Sequence, residues 1–105
     1  MTLPQLKKYD VTQKVIEALA DSESRAILFS IIKKGMTASE LSEKLKIPLS
    51  SVYKKLSDLE ELTLIEVEKW LISDKGRKFK MYKSRISKAD ISIRKPDPVL
   101  NLVPN

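Results

Sequence analysis

The chain reads as a mainly α domain carrying a small β-hairpin. Three features say so. Apolar residues recur at helical spacing from Val11 to Leu62. After Leu62 the pattern changes, and β-forming residues cluster in LIEVEKWLI. Ser73-Asp74-Lys75-Gly76 then supplies a turn before a second run of β character, Lys78 to Ser87. A length of 105 residues suits one such domain with a single core.

The elements follow in order. Residues 1–10 are expected to be a short N-terminal arm. VTQKVIEALA places Val11, Val15, Ile16 and Leu19 on one helical stripe. Asp21 or Ser22 is an N-cap type, and SRAILFSIIKK continues as a helix apolar on most sides, the expected centre of the core. Gly35 follows two lysines and fits a C-terminal cap. Thr37 and Glu40 form the sequence of a capping box ahead of a short helix, ASELSEKLK, with Leu41 and Leu45 four residues apart. Pro48 disfavours helix at Ile47 and suits the start of a new one. That helix, Leu49–Leu62, turns Val52, Leu56 and Leu59 inward. The hairpin comes next. The last stretch, 88–105, holds three prolines and an apolar patch at Val99, Leu100, Leu102 and Val103, and is expected to be an extended tail. Helix, helix, short helix, tight turn, helix, hairpin is the plan of a winged helix-turn-helix, a three- to four-helix domain plus wing, over residues 11–87.

Composition excludes whole classes of chemistry. There is no cysteine and no histidine. Disulfides, zinc-finger ligand sets and thiolate metal sensing are thereby ruled out. The residues most used for acid–base and nucleophilic catalysis are missing too, so no enzyme, metal or cofactor is implied. No apolar run approaches membrane-spanning length and no signal peptide opens the chain, so a soluble cytoplasmic protein is expected. The net charge is +6, and it is unevenly placed. Lys69–Lys95 holds ten of the 20 Lys and Arg residues but only Asp74 and Asp90 of the 14 acids. Such asymmetry points to a polyanion, with nucleic acid first.

With these residues in view, the stretch MTASELSEKLKIPLSSVYKKLSDLEELTLIEV and the hairpin DKGRKFKMYK resemble the ArsR-like and TrmB-like winged-helix transcription regulators of archaea and bacteria. The resemblance spans about Val15 to Ile86. It implies that Ala38–Lys46 crosses the DNA backbone, that Leu49–Leu62 enters the major groove, and that the hairpin touches an adjacent groove or phosphates. Two departures stand out. Thr63 occupies a position where these families usually carry Gly, so a less sharp helix exit or a differently angled wing is expected. The metal-sensing members use Cys and His ligands, which this chain lacks.

The candidate contacts follow. Ser50, Ser51, Tyr53, Lys54 and Lys55 begin the outward face of the recognition helix, where base contacts concentrate. Asp58, Glu60 and Glu61 would repel phosphate, so only the first two turns are expected to enter. Lys75, Arg77, Lys78 and Lys80 form the basic wing around Gly76, and Lys44 and Lys46 are candidate phosphate contacts. Trp70 and Tyr82 are expected to pack across the hairpin or onto the second helix. The partners implied are double-stranded DNA and a second copy of the chain: Leu3, Leu6, Val11, Val15 and the Val99–Val103 patch need cover, with the first helix as the seam, or else the terminal arms fold back on their own chain. An alternative is a winged helix used for protein contact within a larger assembly.

Overall fold

The computed structural model describes the backbone of residues 3–105 and the side chains from Val11 onward. Four helices, α1 (Leu3–Ala20), α2 (Ser22–Ser30), α3 (Ala38–Leu45) and α4 (Leu49–Glu61), pack on a three-stranded antiparallel sheet of order β1-β3-β2. The strands are β1 (Met36–Thr37), β2 (Ile65–Ile72) and β3 (Lys78–Ser84). A separate hairpin of β4 (Ile86–Ser92) and β5 (Val99–Pro104) completes the chain. The expected mainly α winged helix is the observed fold.

The core is where the helical stripes meet. Ile27, Leu28 and Ile31 from α2 and its end, Leu41 from α3, Val52, Leu56 and Leu59 from α4, and Leu64 and Ile65 entering β2 are almost wholly buried. Each such side chain contributes about 1.5–3 kcal/mol by leaving water. Capping fixes where the helices begin. Asp21 caps α2, its carboxylate accepting from the Ser24 N–H at 3.0 Å and the Ser24 hydroxyl at 2.7 Å. Thr37 and Glu40 close the capping box on α3, at 3.2 and 2.9 Å. The turn between α3 and α4 is pinned by the Ser42 hydroxyl donating to the Ile47 carbonyl at 2.6 Å, with Lys46 in the left-handed region at φ 58°.

Five expectations are corrected. The helix begins at Leu3, so residues 3–10 extend α1 instead of forming an arm; Pro4 falls in its first turn, where a missing N–H costs nothing. The second helix stops at Ser30, not at the lysines, because Ile31 already hydrogen-bonds back to Leu28 in a non-helical conformation. Gly35 is therefore not its cap, and its φ is not positive. Its smallness is needed for close approach instead: a Cβ there would run into the Glu68 carboxylate and sit 3.0 Å from Met81 Cγ and 3.1 Å from the Tyr82 carbonyl. The returning strand breaks at Arg85. Ser84 N–H bonds to Ile31 O and Arg85 N–H to Leu64 O, which turns the chain out of the first sheet and into β4. The stretch expected to be an extended tail is β5 of a second hairpin. Pro96 and Pro98 lie in its loop, not its strands, so no ladder hydrogen bond is lost to them. Ala89, Leu100 and Leu102 pack against the core, and Asn105 ties the hairpin back through the Ile32 and Ser84 carbonyls, each at 2.9 Å.

The fifth correction concerns the exit from α4. Thr63 adopts φ 60°, the conformation a glycine would take. Its N–H bonds to Glu60 O and the Leu64 N–H to Leu59 O, which is a full Schellman closure. The exit is as sharp as glycine would make it, with a β-branched residue under strain.

Candidate nucleic-acid interface

Helix α4 is amphipathic, and its polar side is divided. Val52, Leu56 and Leu59 face the core. At 100° per residue, Ser50, Tyr53, Lys54 and Ser57 form one outward ridge, spaced by three and four, and all four are exposed. Ser51, Lys55 and Asp58 form a second ridge turned toward α1 and α2. On it Ser51 is half-buried, and Lys55 reaches across to Asp21 at 2.8 Å, with Glu23 at 3.7 Å. Lys55 is thus engaged within the fold, away from the face that carries Tyr53 and Lys54. Its hydrogen bond and that of Ser24 hold the Asp21 carboxyl down at about 2, and the same bond to Asp21 raises the Lys55 ammonium.

The outward ridge faces a groove. Tyr53 and Leu49 of α4, Thr37, Ala38 and Ser39 at the start of α3, and Arg77, Phe79, Lys80 and Tyr82 of the wing line it together. Its lining mixes apolar and aromatic side chains with cationic and hydroxylic ones. Tyr82 is buried, and burial, followed by the charge of Glu60, pushes its phenol up and keeps it neutral. Ser39 was not foreseen as a lining residue. The only sequence signal for it is its place just inside the capping box.

The wing is built by a three-residue loop. Ser73 and Arg77 pair, Gly76 N–H bonds to Ser73 O at 2.9 Å, and Gly76 takes φ 80°, a type I turn followed by a left-handed residue. This holds Lys75, Arg77 and Lys78 exposed at the tip. Among the described residues none of Lys75, Arg77, Lys78 or Lys80 is ion-paired. The acids nearer the base of the wing are engaged, Glu68 with Lys83 and Glu66 with Arg85. Lys44 and Lys46, at the end of α3, are exposed and unpaired as well. Lys54 has only a loose contact of 3.9 Å with Asp58, both well exposed, which holds it weakly.

Trp70 stays on the surface of the hairpin. Of its two expected placements it takes the one across the hairpin, with the Lys80 ammonium of the paired strand 5.3 Å from its ring centroid, and it stays 57% exposed. Tyr82 does pack inward, as expected.

Residues 19–68 match a family described as a helix-turn-helix domain. Among solved structures the chain is similar to NolR from Sinorhizobium fredii, at 19% identity and a TM-score of 0.63, covering 80% of this chain and 78% of that one. It is also similar to reduced HlyU from Vibrio cholerae, at 18% identity and a TM-score of 0.59, covering 79% of this chain and 81% of that one. No curated protein matches the chain. At such identities the likeness is one of fold, and that fold is the winged helix-turn-helix.

Proposed function

We propose that this chain is a DNA-binding transcription regulator, with residues 11–87 as the binding unit. The outward ridge of α4 lies in the major groove and the wing lies on the backbone or in the minor groove. The observation that carries this reading is the shared groove: Tyr53 of α4 and Arg77 and Lys80 of the wing line one cleft, and among the described residues Lys75, Arg77, Lys78 and Lys80 have no acid paired to them. A polyanion inserted there meets unpaired charge on one wall and a hydroxyl-rich helix ridge on the other. The helix-turn-helix match and the ArsR-like and TrmB-like resemblance of the sequence support the same reading.

Ser50, Tyr53 and Lys54 are the base-reading candidates, with Ser51 at the edge of the face. Lys75, Arg77, Lys78 and Lys80 hold phosphates, joined by Lys44 and Lys46. Lys55 leaves this set for a structural role. The helix has no Arg, Asn or Gln, so sequence preference rests in part on DNA shape. A homodimer fits the exposed Val11 on α1 and the exposed Ile91, Val99 and Val103 on the second hairpin, which need cover. Val15 is covered by the chain's own core and Leu100 and Leu102 pack against it, while Leu3 and Leu6 lie outside the described side chains.

Duplex binding tests the reading directly. At about 50 mM salt a random-sequence duplex should shift, with affinity falling steeply as salt rises. Absence of any shift would sink the proposal and favour a protein-interaction module. A measured solution mass twice that of the chain is the outcome expected for the dimer.

A further inference from the structure

Charge alone does not account for the wing. Trp70 is 57% and Ile72 69% exposed, the two most exposed large apolar side chains of β2. The ladder sets Trp70 opposite Lys80 and Ile72 opposite Lys78, so one face of the hairpin carries two apolar side chains beside two lysines. The Lys80 ammonium over the Trp70 ring confirms the shared face. Lys80 also lines the groove that Tyr53 faces, which joins the apolar strip to the proposed interface. A wing meant only for solubility or phosphate contact has no use for an indole beside an isoleucine, since both leave apolar surface in water.

We infer that Trp70 and Ile72 form an apolar wedge that enters the minor groove when the wing docks, on the DNA-binding reading given above. The indole lies against deoxyribose and stacks at a base step. Ile72 fills the space beside it, while Lys78 and Lys80 hold the flanking phosphates. Charge complementarity selects the occupant. Lys69, Lys75, Arg77, Lys78 and Lys80 surround the strip, with only Asp74 of opposite sign at the tip, and such a rim suits a polyanion better than a second copy of a chain with net charge +6. Inserted side chains of this kind unstack a step and bend the duplex, most readily at flexible pyrimidine–purine steps.

The chain has one tryptophan, so its emission reports on the wing alone. The full-length protein is titrated with an end-labelled duplex, with label anisotropy reporting binding and tryptophan emission reporting the wedge. Emission should be quenched in step with the anisotropy rise, and energy transfer between labels at the two duplex ends should show a bend. Trp70→Ala should weaken binding about tenfold and abolish the bend, with the salt dependence unchanged because no charge is removed. Lys80→Ala should instead lower the salt slope by about one. Since Trp70 is not in the core, its variant should keep the wild-type circular dichroism. Unchanged tryptophan emission while anisotropy rises would overturn the wedge. So would wild-type affinity in both Trp70→Ala and Ile72→Ala, or an altered solution mass in these variants without loss of DNA affinity, which would assign the strip to protein contact. No anisotropy change with any duplex would refute DNA binding itself, and the wedge with it.

Discussion

Thr63 holds a left-handed conformation that costs an L-residue about 1 kcal/mol or more and glycine almost nothing. Its hydroxyl donates to the Leu62 carbonyl at 2.6 Å, which recovers part of that cost. Replacing it with glycine keeps the Schellman closure and removes the strain. Thr63→Gly should therefore raise stability by about 0.5–1 kcal/mol in urea unfolding, offset in part by the greater freedom of glycine in the unfolded chain. A loss of stability would mean that the hydroxyl matters more than the backbone. The position was legible as an oddity in the sequence, yet its outcome was not. Composition favours a blunter exit, and only the tertiary fit of Leu64 and Ile65 in the core explains why threonine is forced to behave as glycine.

At the scale of elements, the Asp21–Lys55 pair joins α4 to the start of α2 beside their shared core. Asp21 does two things at once: it caps α2 and anchors the recognition helix. The Asp21 carboxyl is held from its ordinary 3.8 down to about 2. A depressed carboxyl stabilises the fold above its unfolded value, and that contribution is lost as pH falls from 3.8 through about 2. Lys55 is raised above its ordinary 10.5, so its share is present below that pH and lost as pH rises beyond it. Asp21→Asn retains a capping side chain and removes the charge. The variant should unfold at lower denaturant concentration than the wild type at neutral pH, and the gap should close as pH drops between 3.8 and about 2. A gap independent of pH would show that capping geometry, not charge, is responsible. The helices and wing were readable because their periods are local. The sequence places Lys55 with the DNA contacts because its partner Asp21 is 34 residues away, and no spacing rule reaches that far. Three prolines make the second hairpin look like a tail, but Pro96 and Pro98 lie in its loop and Pro104 only at the end of β5. The cross-hairpin placement of Trp70 was legible; its exposure was not, because the strand pattern does not say that Tyr82 takes the buried position.

For the whole molecule, the two arms of the proposed interface should respond differently to mutation. Arg77→Ala with Lys78→Ala removes two phosphate contacts from a wing that touches no base edge in the major groove. Affinity should fall alike for all duplexes, and the slope of log K against log salt, about −5 for roughly six phosphates, should shrink by about two. Lys54→Ala, on the outward ridge of α4, should instead change the ranking among duplex sequences in competition binding. Equal losses for every sequence would remove Lys54 from base reading. The unpaired cations of the wing have a further consequence, for the protein without its partner. Lys75, Arg77 and Lys78 crowd one short turn with a single neighbouring acid, so they repel one another across water. Added salt screens that repulsion. Amide hydrogen exchange around Ser73 to Lys78 should therefore slow in the free protein as salt is raised, over the same range in which the duplex is released. The wing would be most mobile where it binds most tightly, and most settled where it has nothing to hold.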